Sequence, residues 1–324
     1  MKRINIGILG AAQIAPKAII EPAKKLENVT IFGIAARDGN RAEQFAQLHQ
    51  IKHVFTDYEA LIACRDIDLI YIPLPNDLHA AWIIKAAMTK KNILVEKPIC
   101  LRTSEFEEIQ KAVSKNGVFL LEGLMVQHHP WQKKIKEIIE TKEYGNLVSV
   151  KTHITFQFNE KGSYRSIAAK GGGAFFDMGS YWIQFIQSCI GPEIQEFSGK
   201  ADFTRPNGVD LTFEAYIVLP NSVRADFLCS FERPFEANHW LEFEKARLRI
   251  RNFFRAALGD HVITIDIKHM DTNKIDKLSF PPQNYYFNQL NFFLNVIKGT
   301  EENIPLSQSY DRVKIMEDIY QKAE

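Results

Sequence analysis

The chain has 324 residues, 46% hydrophobic and 24% charged, and 40 Lys and Arg against 39 Asp and Glu leave a net charge of +1. That balance gives no electrostatic basis for holding nucleic acid or an anionic membrane, so the expected partner is a small molecule. The length suits two domains of roughly 150 residues each, and four scattered cysteines (Cys64, Cys100, Cys189 and Cys229) read as reduced thiols of a cytoplasmic protein, not as disulfides or a metal site.

Met1-Lys2-Arg3 before an apolar run has the outline of a secretion leader, but Asn5 interrupts the run, and Gly7 and Gly10 suit a strand and turn instead. No apolar stretch reaches the ~18 residues of a membrane span. In chain order, 3–10 is a strand, followed by a short helix to about Leu26 that Pro22 should break. Strands follow at 29–36, 53–55, 68–74, 92–96 and 118–123. Between them lie helical patterns at 40–50, up to Ala63, at 77–91 and up to Asn116. Asp38 or Asn40 is the expected cap of the first, and Thr56/Glu59 and Ser104/Glu107 form expected capping boxes. This alternation predicts an α/β domain over 1–123, a doubly wound parallel sheet with helices on both faces.

The pattern changes after residue 123. A helix near 131–144 precedes 147–158, where Val148, Val150, Ile154 and Phe156 share one face. The stretch 209–219 alternates cleanly, with Asp210 on its polar side, and 222–233 does the same. A helix over 173–190 lies between the first two of these strands, and helices near 284–298 and 307–322 close the chain. The expectation for 124–324 is an α+β domain on a largely antiparallel sheet.

The strongest local signal is "IGILGAAQIAPKAII". Gly10-x-Ala12-x-x-Ala15 is a dinucleotide fingerprint with two glycines replaced by alanine, and Gln13 and Ile14 complete its turn. The following helix start offers N–H groups to a pyrophosphate. The second strand ends in Ala36-Arg37, not in the acid that holds a ribose 2′-hydroxyl. Arg37, with Arg41 four residues on, favours NADP(H) over NAD(H), because a guanidinium binds a 2′-phosphate that an acid repels. The plain alternative is a solvated loop arginine with Asp38 on the ribose.

The fingerprint, "PLPNDLH" (73–79), "EKP" (96–98) and "GGGAFFDMGSYW" (171–182), in that order, resemble the glucose–fructose oxidoreductase / inositol dehydrogenase / MocA family across essentially the whole chain. The resemblance implies a nicotinamide-binding Rossmann domain and a second domain on an open, mostly antiparallel sheet through which members associate, giving a homodimer or homotetramer. It implies hydride transfer at a carbon bearing a hydroxyl or carbonyl, on a sugar or related polyol. It places Leu74, Pro75, Asn76 and His79 along the cofactor, Glu96 on the nicotinamide side, and Lys97 against substrate hydroxyl and nicotinamide ribose. Tyr181 stands where many members carry histidine, as in a subgroup holding dihydrodiol dehydrogenase, aldose dehydrogenases and nucleotide-sugar ketoreductases. "LEGLMVQHHPWQ" (121–132) is similar to a segment of that subgroup, with Gln127 replacing its arginine.

Oxidising an alcohol or reducing a ketone by hydride transfer needs a group to take or give the hydroxyl proton. Tyr181 is the candidate, Lys97 the ammonium expected to draw its pKa down, and Asp177, one helical turn before Tyr181, a carboxylate to orient Lys97 or bind a substrate hydroxyl. In an aromatic helix the plain reading of Tyr181 is core packing. Arg165 and His129 are further candidate substrate contacts, alongside Gln127. The expectation is an NADP(H)-dependent oxidoreductase of a carbohydrate-like substrate. The alternatives are a dehydrogenase of a small diol or aldose and a cofactor-binding sensor without turnover.

Overall fold

A computed structural model describes residues 3–158, 162–204, 207–259 and 261–323; Met1 and Lys2, which open the leader-like stretch, lie outside the described residues. The apolar runs of the first half form β1 (Ile4–Leu9), β2 (Val29–Ala35), β3 (His53–Phe55), β4 (Leu69–Ile72), β5 (Asn92–Glu96) and β6 (Leu120–Gly123). All neighbours pair in parallel, in the order β3-β2-β1-β4-β5-β6. The connection reverses direction between β1 and β4, and in such sheets ligands bind at the strands' carboxyl ends beside that reversal. Ile6, Ile8, Ile70, Ile72, Ile93 and Val95 are fully buried, which is why these strands read as continuous apolar runs.

The helices of this sheet are α1 (Glu21–Lys24), α2 (Gly39–His49), α3 (Tyr58–Ala63), α4 (His79–Met88) and α5 (Thr103–Asn116). A π-helical turn over Pro16–Ile20 precedes α1, and Pro22 falls within the first two residues of α1, where a missing N–H costs little. Two caps differ from expectation. Asp57, not Thr56, caps α3, its Oδ1 accepting the Ala60 N–H at 2.6 Å. At α5, Glu105 Oε2 accepts the Leu101 and Arg102 N–H groups at 3.0 and 3.2 Å. In both places a carboxylate, the stronger acceptor, sets the helix start.

The second half forms β7 (Leu147–Thr155), β8 (Glu196–Ala201), β9 (Thr212–Val218), β10 (Arg224–Ser230), β11 (Glu236–Phe243), β12 (Ala246–Ile250), β13 (Ile263–His269) and β14 (Ile275–Phe280). Their order is β14-β13-β12-β11-β7-β10-β9-β8, antiparallel except for β10 against β7. The helices α6 (Pro130–Thr141), α7 (Ala174–Cys189), α8 (Tyr285–Ile297) and α9 (Leu306–Gln321) complete the chain. The sequence pattern singled out three of these eight strands. Core-facing polar positions hide β11: His239 is 1% exposed and stacks on Phe185 and Phe253 at 3.9 and 4.4 Å. Val148, expected on the core face of β7, is 49% exposed, while Val150 and Ile154 are buried.

The chain divides into two compact units, Met1–Leu124 with Tyr286–Val313, and Met125–Tyr285 with Lys314–Glu324. The second segment of the first unit is held by a buried ion pair. Arg312, 3% exposed, donates to Glu122 Oε2 through Nη2 and Nε at 2.7 and 3.2 Å, and Ser309 Oγ donates to the same oxygen at 3.1 Å. Removing one partner of such a pair leaves an uncompensated buried charge and typically costs ~3–5 kcal/mol.

Candidate active site

In the first unit the candidate residues gather at the carboxyl ends of the strands. Gly10 ends β1 at φ +101°, and a Cβ there would sit 3.0 Å from Leu74 Cδ2, so glycine is required. Its N–H donates to Ala35 O at 2.7 Å, fixing the turn to β2. The next four N–H groups, from Ala11, Ala12, Gln13 and Ile14, have no acceptor among the described residues. A row of unspent donors at the head of a helical segment fits an anion such as a dinucleotide pyrophosphate. Ala15 is fully buried where the helical turn packs on the sheet.

At the end of β2, Ala36 is 8% exposed and Arg37 points into the exposed layer. The Asp38 carboxylate caps α2, accepting the Arg41 N–H at 3.3 Å, and Arg41 Nη2 donates to Ala11 O at 3.3 Å, tying α2 to the β1 turn. Both arginines lie close enough to Tyr58 to lower its pKa, although burial, the larger effect, raises it overall. The strand end therefore presents guanidinium groups, with its one nearby acid spent on a helix cap.

Lys97 follows β5 directly. The Lys97–Pro98 peptide bond is cis. His79, fully buried, has Nδ1 2.7 Å from Pro98 O and Nε2 2.8 Å from Leu74 O. Burial lowers the His79 pKa against the opposing pull of those two carbonyls. Glu122 Oε1 accepts the Ile99 N–H at 3.1 Å, so the backbone just after Lys97 is held from two sides. Glu96 accepts a hydrogen bond from the buried Tyr71 hydroxyl. Asn76 is buried at the start of a 3-10 turn with Pro75 before it and Leu74 packed beneath.

In the second unit the candidates lie on and around α7. This helix is buried almost throughout, with Phe175 stacked on Phe213 at 4.2 Å and Trp182 on Phe227 at 4.8 Å. The glycines before it are steric necessities. A Cβ on Gly172 would meet Arg165 O and Tyr164 O at 2.6 and 2.7 Å, and one on Gly173 would overlap Asp210 Oδ1. Arg165 is not a solvated loop residue: its Nε and Nη2 donate to Asp177 Oδ2 and Oδ1 at 2.9 and 3.3 Å. Asp177 is 6% exposed, and this two-point pairing supplies the partner a carboxylate at that depth needs. Tyr181, one turn on, is 7% exposed; its ring packs edge-on against Phe254 at 4.7 Å and its hydroxyl donates to Met125 Sδ at 3.5 Å.

His129 caps α6, its Nδ1 accepting the Trp131 N–H at 3.3 Å. Its Nε2 is buried with no partner among the described residues, and burial pushes its pKa down to about 4, so it is a neutral imidazole at physiological pH. Gln127 is half-buried in the 3-10 turn Met125–His128.

Asp210 was read from the sequence as a polar-face strand residue; it lies instead just before β9 and is fully buried. Its Oδ2 accepts the Phe175 N–H at 2.8 Å and its carbonyl the Ala174 N–H at 3.0 Å, so it caps α7. The only sequence signal was an acid in an otherwise apolar run, which alternation absorbed. Burial pushes the Asp210 carboxyl up to about 7 against those hydrogen bonds. Between ~pH 4, where an unfolded Asp titrates, and about 7 the folded state holds a proton that the unfolded state has lost. Asp210 therefore makes stability fall as pH rises through that window. Asp210→Asn is expected to keep the cap and flatten the dependence of Tm on pH there; an unchanged slope would exclude Asp210 as its source.

No group of three His, Cys, Asp or Glu among the described residues is arranged to hold a metal ion, and no helix among them is long and apolar enough to cross a membrane. Residues 4–124 match the oxidoreductase family with an NAD-binding Rossmann fold, and residues 132–250 match the GFO/IDH/MocA C-terminal domain. The D-xylose 1-dehydrogenase (NADP(+)) 2 of Haloferax volcanii is 27% identical over 320 residues, 98% of this chain and 97% of that protein. The dTDP-3,4-didehydro-2,6-dideoxy-alpha-D-glucose 3-reductase of Actinomadura kijaniata is 28% identical over 252 residues, 78% of this chain and 75% of that one. The crystal structure of KijD10, a 3-ketoreductase from Actinomadura kijaniata with NADP and TDP-benzene, superposes at a TM-score of 0.92 over 100% of this chain and 98% of that one; at 23% identity it shows a shared fold.

Proposed function

The chain belongs to the GFO/IDH/MocA oxidoreductase family, and from that premise we propose that it moves a hydride between NADP(H) and a carbohydrate-like alcohol or ketone. The observation that carries the reading is Tyr181, a phenol on a rigid, buried helix one turn after an Asp177 carboxylate held at two points by Arg165. Support for the substrate class comes from relatives that span most of this chain and act on a sugar or a nucleotide-linked sugar.

The nicotinamide, when bound, supplies or accepts the hydride. The four unspent N–H groups from Ala11 to Ile14 bind its pyrophosphate. Arg37 and Arg41 bind the 2′-phosphate, an arrangement that suits NADP because Asp38 is occupied as a cap. Leu74, Pro75, Asn76 and Glu96 shape the cofactor pocket wall, and His79 positions that wall through its two carbonyl contacts. Tyr181 gives its proton to the developing alkoxide in reduction and takes it back in oxidation. Lys97 stabilises that oxygen and positions the substrate. Asp177, Arg165, Gln127 and His129 orient substrate hydroxyls. Subunits associate through the open face of the eight-stranded sheet.

Stopped-flow oxidation of NADPH with a panel of keto-sugars, free and nucleotide-linked, tests the activity; no turnover across the panel would favour a cofactor-binding sensor. Arg37→Ala is expected to weaken NADPH binding by about tenfold to a hundredfold, the loss of a charge-assisted contact, and to leave NADH binding little changed. A preference for NADPH that persists in Arg37→Ala/Arg41→Ala would refute the 2′-phosphate assignment.

A further inference from the structure

The first turn of α7 carries Asp177 and starts from a residue without a side chain. Gly173 is its N-cap, at φ +111°, so the oxygen that Ser, Thr or Asp would offer from that position is absent. The N–H groups of the turn are met from elsewhere in the chain. The Ala174 N–H donates to Asp210 O at 3.0 Å and the Phe175 N–H to Asp210 Oδ2 at 2.8 Å. Gly173 and Asp210 fit only as a pair, because a Cβ on residue 173 would overlap Asp210 Oδ1. The glycine gives up a cap of its own and makes room for one delivered by the segment before β9.

Arg165 meets the same turn twice. Its carbonyl accepts the Gly173 N–H at 2.9 Å, and its guanidinium holds Asp177 Oδ2 and Oδ1 at 2.9 and 3.3 Å. Asp210 itself is fully buried, beside Tyr320 of α9, whose pKa is pushed up by burial and by the Asp210 carboxyl. Further along, α7 is held by apolar stacking, Trp182 on Phe227 and Phe185 on His239. Such packing is non-directional and does not involve Asp210, so Tyr181 keeps its place without it. The first turn, by contrast, takes its direction from hydrogen bonds, which weaken steeply when misaligned.

We infer that Asp210 is a positioning residue for Asp177: by fixing the first turn of α7 it sets that carboxylate against Arg165, in the place from which it orients substrate. The kinetic consequence rests on the activity proposed above; the placement of Asp177 on Arg165 does not. A displacement of about 1 Å at such a group can cost a hundredfold, whereas a cap with a purely structural role would lower Tm and leave the kinetics of the folded enzyme alone.

The test compares Asp210→Ala and Asp210→Asn below their Tm, with NADPH saturating. Asp210→Ala is expected to lower kcat/KM for a ketone by about tenfold to a hundredfold. Asp210→Asn, whose amide oxygen still accepts the Phe175 N–H, is expected to keep most of it. Asp210→Leu keeps the volume and removes the acceptor, and covers the case of an Ala variant that does not fold. Because Asp210 acts through Asp177, Asp177→Asn/Asp210→Ala is expected to be no slower than Asp177→Asn alone. The second readout needs no turnover: the NMR signal of the Arg165 Nε–H should exchange slowly with solvent in the unmodified chain and in Asp210→Asn, and be lost in Asp210→Ala as in Asp177→Asn. If no ketone is turned over by the unmodified chain, the activity fails and this signal still decides the placement. A folded Ala or Leu variant with kcat/KM within about twofold of the unmodified chain, losses that multiply with that of Asp177→Asn, or an unchanged Arg165 signal in those variants overturns the inference.

Discussion

Tyr181→Phe is expected to lower kcat for ketone reduction at least ~100-fold, the usual contribution of a positioned acid or base, while NADPH binding and Tm stay close to those of the unmodified chain. The substitution removes one oxygen and leaves the ring. That ring makes the edge-on contact with Phe254 and is kept, while the hydroxyl gives up its bond to Met125 Sδ. A thioether is a weak acceptor, so its loss costs little stability. The ring's burial on α7 is retained in full. Stability and turnover are therefore expected to separate cleanly in this variant. Near-normal kcat in Tyr181→Phe would return Tyr181 to the status of a core aromatic.

Lys97→Ala is expected to cost a similar factor, at least ~100-fold in kcat, by removing the cation proposed to stabilise charge on the reacting oxygen. The backbone just after Lys97 is held by contacts other than its side chain. Pro98 O is taken by His79 and the Ile99 N–H by Glu122, whose other oxygen is held by Arg312 and Ser309. The alanine variant should therefore keep its fold, and a fluorescence titration with NADPH separates lost turnover from lost cofactor. Turnover close to that of the unmodified chain, with cofactor bound, would leave the ammonium without a catalytic role.

These roles were legible in the sequence to different depths. Strand ends in a parallel sheet carry short, position-specific signals, so Gly10 and Arg37 could be read from local pattern, whereas the places expected of Glu96 and Lys97 came with the family resemblance. Arg165 was ambiguous because a loop arginine has no period; only the turn through Gly171-Gly172-Gly173 brings its guanidinium to Asp177. Asp210 was misplaced because alternation sorts residues by side and cannot see a helix terminus arriving from elsewhere in the chain. The strand β11 escaped notice because His239 stands on its core face, and the aromatic stack that makes a buried imidazole tolerable joins distant segments; β12 and β13 do alternate, apolar side inward, and were not singled out.

By itself, the sequence determined the class of the molecule: a doubly wound α/β sheet with a fingerprint turn, an α+β region after it, and a helix bearing Asp177 and Tyr181. Hydrophobic periodicity and turn chemistry act over a few residues, and a linear pattern carries them. Tertiary structure alone decided which acids are spent and which cations are held. It set Asp177 on Arg165, and Glu122 between Ile99 and Arg312. It also returned Tyr286–Val313 to the first unit. The reason is physical: a charge can be buried only where a partner from elsewhere in the chain meets it, and sequence spacing does not record that meeting.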